Sequence, residues 1–138
     1  MTIQQISVFL ENKSGRLAEV TTTLGEAGIN MRAATIADTA DFGILRMVVN
    51  DPKKALETLE KKGFTAKVTD VFAIEMDDRP GGLGSIMRLF HETGVNIEYL
   101  YSSLENKNDK AVVIFKVDDI EHGNKIVKEH KLKAITSL

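Results

Sequence analysis

Residues 78–83 read Asp78-Arg79-Pro80-Gly81-Gly82-Leu83, and the stretch 66 residues earlier reads Asn12-Lys13-Ser14-Gly15-Arg16-Leu17. A helical run follows each stretch, ending in Gly94-Val95-Asn96 in the later copy and in Gly28-Ile29-Asn30 in the earlier one. The turn glycines and the asparagine keep one offset while the surface residues differ, which indicates that a small folding unit was duplicated together with its loop. The repeat therefore predicts two modules of the same architecture.

The first module, residues 1–70, opens with the pattern of a strand followed by a helix. Apolar residues alternate over residues 6–10, the period of a half-buried strand, and recur at helical spacing over residues 17–27. Gly28 suits the left-handed conformation that ends many helices.

The remainder of this module predicts a hairpin, a second helix and a fourth strand. Two strand-like runs flank a polar turn at residues 38–43. Asp51-Pro52 combines an acidic N-cap with proline at the first helical position, and Gly63 stops the helix. Residues 64–71 then supply a strand, so the order is βαββαβ.

The second module, residues 71–138, repeats this order. Its hairpin connection, residues 105–109, is two residues longer, and Asp118-Asp119 is expected to cap its last helix. Each module is therefore predicted to be a ferredoxin-like α+β unit, with an antiparallel sheet and both helices on one face.

The composition excludes several classes of function. The 138 residues include 18 basic and 20 acidic side chains and no cysteine. A nucleic-acid partner requires a basic surface, and disulfides, thiolate nucleophiles and zinc knuckles require cysteine. The three histidines are isolated from one another, so we expect no metal site and no cofactor. No signal peptide or membrane-spanning run is apparent, and we expect a cytoplasmic protein without a membrane partner.

The repeated loop has the chemistry of an anion site. A glycine turn between a strand and a helix exposes backbone N–H groups at the helix N-terminus, where the helix dipole favours a carboxylate or phosphate. Asn30 and Asn96 follow the helices, and we expect the topology to place each of them beside the loop of its own module. An asparagine amide accepts from an ammonium and donates to a carboxylate, so the combination suits a free amino acid.

The motif Asp78-Arg79-Pro80-Gly81-Gly82-Leu83, followed by a helix and Gly94-Val95-Asn96-Ile97, resembles the signature of ACT domains. The resemblance covers each half of the chain and implies a tandem ACT protein, without an attached catalytic domain, that binds an amino acid at interfaces between modules. In the second module it implies ligand contacts from Asp78, Arg79, Pro80, Gly81, Gly82, Leu83, Val95, Asn96 and Ile97. In the first module it implies Asn12, Lys13, Ser14, Gly15, Arg16, Leu17, Asn30 and Met31. The first copy departs from the pattern at Asn12 and Ser14.

We therefore predict a non-catalytic regulatory sensor of a free amino acid, with a homodimeric assembly and a regulated enzyme as partners. A purely structural dimerisation module is the main alternative. An acylphosphatase-like enzyme would need Arg16 or Arg79 beside Asn30 or Asn96. RNA binding is rejected, because RNA-recognition modules of this topology need aromatic residues within a basic third strand. The predicted third strands, residues 44–49 and 110–117, contain one aromatic residue, Phe115.

Simpler structural roles remain open for the same residues. The glycines serve as turn formers in any case, and the two asparagines are able to cap the turns after their helices. Leu17 and Leu83 are expected to be the first core residues of their helices rather than ligand contacts. Arg79 is free to lie in solvent, and Tyr99 and Tyr101 have packing as their default role.

Overall fold

The computed structural model describes residues 1–38, 41–104 and 108–138. Contacts between Cα atoms divide the chain into two compact units. The first unit comprises residues 4–69 together with residue 138, and the second comprises residues 70–137 together with residues 1–3. Parts of the predicted connections at 38–43 and 105–109, namely residues 39, 40 and 105–107, lie outside the described residues.

The first unit has the predicted βαββαβ order. Its elements are β1 (Ile3–Glu11), α1 (Arg16–Glu26), β2 (Met31–Asp38), β3 (Phe42–Val49), α2 (Pro52–Lys61) and the beginning of β4 (Thr65–Asp77). Both β1 and β2 pair antiparallel with β3. The strand predicted at residues 64–71 and the strand predicted to follow it form the single continuous strand β4.

The second unit repeats the order from β4 onward. Its further elements are α3 (Gly82–Glu92), β5 (Ile97–Ser102), β6 (Lys110–Val117), α4 (Ile120–Glu129) and β7 (Lys133–Ala134). Both β4 and β5 pair antiparallel with β6, and β7 pairs with β4. Near the end of the chain, β7 pairs with Ile74 and Glu75 of β4, and the N–H of Ile135 donates to the Ala73 carbonyl of the same strand at 2.7 Å.

Each unit has its own apolar core between its sheet and its two helices. In the first unit, Val20 and Leu24 of α1 and Leu59 of α2 pack against the inward residues of β1 and β3. Three phenylalanines form the centre of the second core: Phe72, Phe90 and Phe115. The ring of Phe115 lies 5.1 Å from that of Phe90 and 5.7 Å from that of Phe72, measured between centroids. The shared core of both helices confirms the predicted ferredoxin-like arrangement.

The local signals for helix ends are confirmed. The carboxylate of Asp51 accepts a hydrogen bond from the backbone N–H of Lys54 at 3.1 Å, and Asp119 caps α4 in the same way. Gly28 and Gly63, which follow α1 and α2, have φ angles of +76° and +84°. Such angles are open to glycine at little cost, which explains why the helices end there.

The prediction for Leu17 as a core residue is wrong. Its side chain is 44% exposed although it shares the helical face of Val20 and Leu24, because it lies in the first turn of α1, at the end of the buried stripe. Leu83, its counterpart in α3, is partly buried and packs against the core of the second unit. The same helical position is therefore solvent-facing in one unit and supports the core in the other.

Candidate functional site

The two copies of the loop have the same backbone conformation. Gly15 and Gly81 both have φ +87° at the N-cap of the following helix. The N–H of Asn12 donates to the Asp41 carbonyl at 2.9 Å, and the N–H of Asp78 donates to the Asp109 carbonyl at 2.8 Å. The loop geometry is therefore a repeated structural feature, and glycine is retained at the position where an L side chain would be strained.

At each loop, backbone N–H groups at the start of the following helix have no hydrogen-bond acceptor in the described parts of the chain. Neither α1 nor α3 has a side-chain cap at its N-terminus. Within the described parts of the chain, the N–H groups of Leu17 and Ala18 have no acceptor, and the same holds for Leu83 and Gly84. Unpaired donors at a helix start, with the helix dipole behind them, favour an anion. The geometry thus retains the chemistry expected from the sequence.

The loops differ in how closely the chain approaches itself. A Cβ at Gly82 would lie 2.4 Å from the carbonyl oxygen of Asp77, so glycine allows this approach. The first unit has Arg16 at the equivalent position. The backbone nitrogen of Arg16 lies 3.3 Å from the Lys13 carbonyl oxygen, whereas that of Gly82 lies 3.0 Å from the Arg79 carbonyl oxygen. Gly82 therefore serves the packing of its own loop.

An acidic residue precedes each loop and forms ion pairs with the cationic side chains near it. In the first unit the Glu11 carboxylate lies 2.8 Å from the Lys13 ammonium and 3.4 Å from the Arg16 guanidinium. Arg16 also contacts Glu19 at 3.1 Å. The hydrogen bond and charge of Lys13, with a further contribution from Arg16, lower the pKa of Glu11.

Asp77 has the same role in the second unit. It forms an ion pair with Lys110 and lies 3.6 Å from the Arg79 guanidinium. The hydrogen bond and charge of Lys110 lower the pKa of Asp77, and the same pairing raises the pKa of Lys110. Sequence reasoning missed Glu11 and Asp77, although they stand 66 residues apart, at the offset of the loops that they precede.

The prediction that Asn30 and Asn96 lie beside the loops of their own modules is wrong. On β3, Phe42 pairs with Glu11, at the loop end of β1, and Val49 pairs with Met31, at the start of β2. These two positions are seven residues apart, or roughly 23 Å at about 3.3 Å per residue. The helix between loop and asparagine carries the chain back across the unit, so the two features lie at opposite ends.

The second unit has the same separation. Its loop end pairs at Lys110 of β6, and the start of β5 pairs at Val117. The backbone N–H of Asn96 donates to the Asp118 carboxylate at 3.1 Å, in the way that Asn30 donates to the Asn50 side chain at 3.0 Å. In consequence neither unit by itself brings an arginine of the loop beside its asparagine, as the acylphosphatase alternative would require.

The other predicted ligand residues differ in their exposure to solvent. Asn12, Lys13, Ser14, Asp78, Arg79 and Pro80 are exposed at the loops. Val95 is buried in the core of the second unit, and Met31 and Ile97 pack against the cores of their units. These three apolar residues fix the strand starts, while the exposed loop residues and the asparagines are accessible to a ligand.

A cleft opens beside each loop. The cleft of the first unit, about 290 Å³, lies between the end of β1, the start of α1, Phe42 and the turn at residues 62–65. The cleft of the second unit, about 380 Å³, lies between the end of β4, the start of α3, Lys110 and residues 131–133. Each cleft is formed by residues of a single unit.

The described helices include none with the length and apolarity needed to cross a membrane. Among residues 1–38, 41–104 and 108–138, no three acidic or histidine side chains are grouped in a way that would hold a metal ion.

The fold and the paired loops define a duplicated ferredoxin-like protein with an open helix start in each half. A family model described as an ACT domain pair matches residues 1–137. The chain therefore belongs to the ACT domain family, which is a family of regulatory domains.

Solved structures agree with this assignment, whereas no curated protein matches the sequence. Protein BT0572 from Bacteroides thetaiotaomicron is 41% identical, with a TM-score of 0.92 over 98% of this chain and 92% of that one. The regulatory subunit of aspartate kinase from Thermus thermophilus shares the fold at 20% identity, with a TM-score of 0.66 over 91% of both chains. The corresponding subunit from Thermus flavus is 19% identical, with a TM-score of 0.62 over 91% of this chain and 90% of that chain.

Proposed function

We propose that the protein is a non-catalytic sensor that binds a free amino acid at an interface between ACT-like modules. The observation that carries the proposal is the pair of helix starts with open N–H donors, held in one conformation by Gly15 and Gly81. These donors suit the carboxylate of the ligand. The ammonium requires an acceptor from elsewhere.

The asparagines supply that acceptor, and their position determines how the site is assembled. Within the described chain, the side-chain amides of Asn30 and Asn96 have no hydrogen-bond partner. Since each lies at the end of its unit opposite the loop, a ligand that uses both features joins the loop of one module to the strand start of another. The ligand is then part of the interface, and its binding favours the assembled state.

This arrangement accounts for regulation without catalysis. A ligand shifts an assembly only as far as its affinities for the two states differ. We propose modules 1–70 and 71–138 as the units that are joined, a cytoplasmic homodimer as the assembly, and an enzyme of amino-acid metabolism as the controlled partner. The regulatory aspartate kinase subunits with the same fold support this choice of partner class.

Isothermal titration with each of the twenty amino acids tests the proposal. We expect one amino acid, or a small related group, to bind, and Asn96→Ala to weaken binding by about tenfold because one charge-assisted hydrogen bond is lost. The stability of this variant should change by less than about 0.5 kcal/mol, as for other surface substitutions. Thr22→Ala, an exposed change on α1, is the control and should bind as wild type does.

Sedimentation velocity with and without the ligand provides the second readout. We expect the ligand to favour the larger species at a fixed protein concentration. If all twenty amino acids give no heat at millimolar concentration, the sensor proposal is wrong and the structural dimerisation module is the better description. If an amino acid binds and Asn30→Ala and Asn96→Ala both bind as wild type does, the loop-to-strand assembly of the site is wrong.

A further inference from the structure

The clefts beside the two loops are copies of one another. Nine of the ten residues that line the first cleft correspond to residues that line the second, at an offset of 66 before the hairpin and 68 after it. Glu11 corresponds to Asp77, and Phe42 corresponds to Lys110. The duplication therefore produced two versions of one concave surface, each within its own unit.

The two clefts have diverged in chemistry. The first is bordered by Phe9 and Phe42, which are 43% and 57% exposed. Its two cations, Arg16 and Lys62, are matched by two carboxylates, Glu11 and Glu19.

The second cleft has lost the aromatic pair and gained positive charge. Its four cations are Arg79, Lys110, Lys131 and Lys133, and its two carboxylates are Glu75 and Asp77. The cations therefore exceed the carboxylates by two.

The carboxylates of the second cleft are already engaged. Glu75 lies 2.8 Å from the Lys133 ammonium, and Asp77 pairs with Lys110 and Arg79. Within the described chain Lys131 forms no ion pair. One cation thus faces the cleft without a counterion from the protein.

Lys131 stands at a position that favours glycine. Its φ angle is +51°, and its counterpart Gly63 in the first unit has φ +84°. A left-handed conformation is unfavourable for a lysine and easy for a glycine, so Lys131 carries a backbone cost that Gly63 does not. An observed outlier of this kind at a charged cleft points to a role for its side chain.

We propose that the cleft of the second unit binds a small multivalent anion, either a phosphate or a compound with two or three carboxylates. Lys131, with its unpaired charge, and Arg79, with only a long contact to Asp77, neutralise the anion. Gly82, which lines the cleft without a side chain, leaves the start of α3 open to it. The first cleft has no net charge among its lining residues and should bind such anions more weakly.

The anion site shares the start of α3 with the proposed amino-acid site, and the two sites differ in their other contacts. The anion site is formed by one unit and does not use Asn30 or Asn96. Loss of anion binding and loss of amino-acid binding are therefore distinguishable. Asn96→Ala should leave the anion affinity unchanged, and a change at Lys131 should leave the asparagine contact to the amino acid intact.

The test is titration of the full chain with inorganic phosphate and with citrate, against sodium chloride at equal ionic strength. We expect both anions, but not chloride, to raise the urea midpoint of unfolding in a saturable way at millimolar concentration, where the general stabilisation by excluded salts is small. In two-dimensional amide NMR we expect shifts at residues 79–85 and 131–133, and none at residues 16–19 and 62–65. A response to phosphate alone identifies a phosphate site, and a response to citrate alone identifies a polycarboxylate site.

Lys131→Gly is the decisive variant, because it installs the residue of the first unit and relieves the backbone. We expect its urea midpoint without anion to rise and its affinity for the effective anion to fall about fivefold, the effect of one exposed charge contact. Lys125→Ala, which removes an exposed lysine from α4, is the control for net charge and should bind as wild type does. Equal effects of chloride, phosphate and citrate would overturn the proposal, as would undiminished anion affinity in Lys131→Gly.

Discussion

Gly123 is the residue at which the packing of the second unit is most sharply testable. It lies in α4 directly against the aromatic core, and a Cβ added there would be 2.7 Å from Cε2 and 3.0 Å from Cζ of Phe72. The same Cβ would lie 3.2 Å from a methyl group of Val117. Phe72 is fully buried and its ring packs on that of Phe115, so the ring has no free space into which to move.

Two opposing effects determine how much Gly123→Ala changes the free energy of unfolding. Overfilling a well-packed core costs about 1–3 kcal/mol. Alanine in a helix interior is favoured over glycine by about 1 kcal/mol. The packing cost is the larger, and we expect a net destabilisation of up to about 2 kcal/mol.

Gly25→Ala is the matched control. Gly25 lies in α1 with a negative φ and no atom within 4 Å of the added Cβ. Only the helix-propensity gain applies there, and we expect a stabilisation of about 0.5–1 kcal/mol. The same substitution should therefore have opposite signs in the two helices.

Urea unfolding measures both effects and separates the units. The protein has no tryptophan, and its two tyrosines, Tyr99 and Tyr101, both lie on β5 of the second unit. Tyrosine fluorescence thus follows the second unit, whereas far-ultraviolet circular dichroism follows both. A fluorescence midpoint for Gly123→Ala equal to or above that of wild type would refute the packing argument, provided that Gly25→Ala behaves as expected.

Three further changes test the loop, the ion pair and a helix cap. Gly81→Ala places a Cβ at φ +87° and should cost about 1–2 kcal/mol, whereas Gly84→Ala, in open space on α3, should be neutral or slightly stabilising in urea unfolding. Lys110 lowers the pKa of Asp77 in the folded protein. The pair therefore stabilises the fold at a pH above the pKa that Asp77 has in the unfolded chain, near 4, and this stabilisation is lost as the pH falls through the pKa of Asp77 in the folded protein. Wild type should therefore lose more stability than Asp77→Asn between about pH 5 and pH 2 in acid titrations, and equal losses would contradict this. Asp119→Ala removes the N-cap acceptor of α4 and should lower the tyrosine-detected stability by about 1 kcal/mol, and an unchanged midpoint would show that the cap is dispensable.

Much of the fold was predictable because its signals are local. The N-cap function of Asp51 and Asp119 and the left-handed turns at Gly28 and Gly63 depend on a few neighbouring residues. The duplication made most of these signals easier to recognise, because Asp51 and Gly28 recur as Asp119 and Gly94. Leu17 shows the limit, because its spacing is that of the buried residues Val20 and Leu24, and its exposure depends on how far the core extends along α1.

The candidate site was predictable only in part. Residues close in sequence, such as those of the loop at 78–83, form one structural feature, and the sequence indicated its donor chemistry. The distance between that loop and Asn96 was not predictable from the motif, because it depends on the path of α3 across the unit. The motif contains both the loop and the asparagine, but the helix between them carries them to opposite ends of the unit.

The sequence by itself determined the duplication, the order of elements, the turn glycines and the anion-favouring helix starts, because these follow from periodicity and from backbone angles that few residues tolerate. Only the tertiary structure showed that loop and asparagine lie at opposite ends of a unit, and that Lys110 and Lys131 line one cleft together with Asp77 and the start of α3. Antiparallel strand pairing decides both outcomes, since it brings together residues far apart in the chain and separates residues that one motif contains.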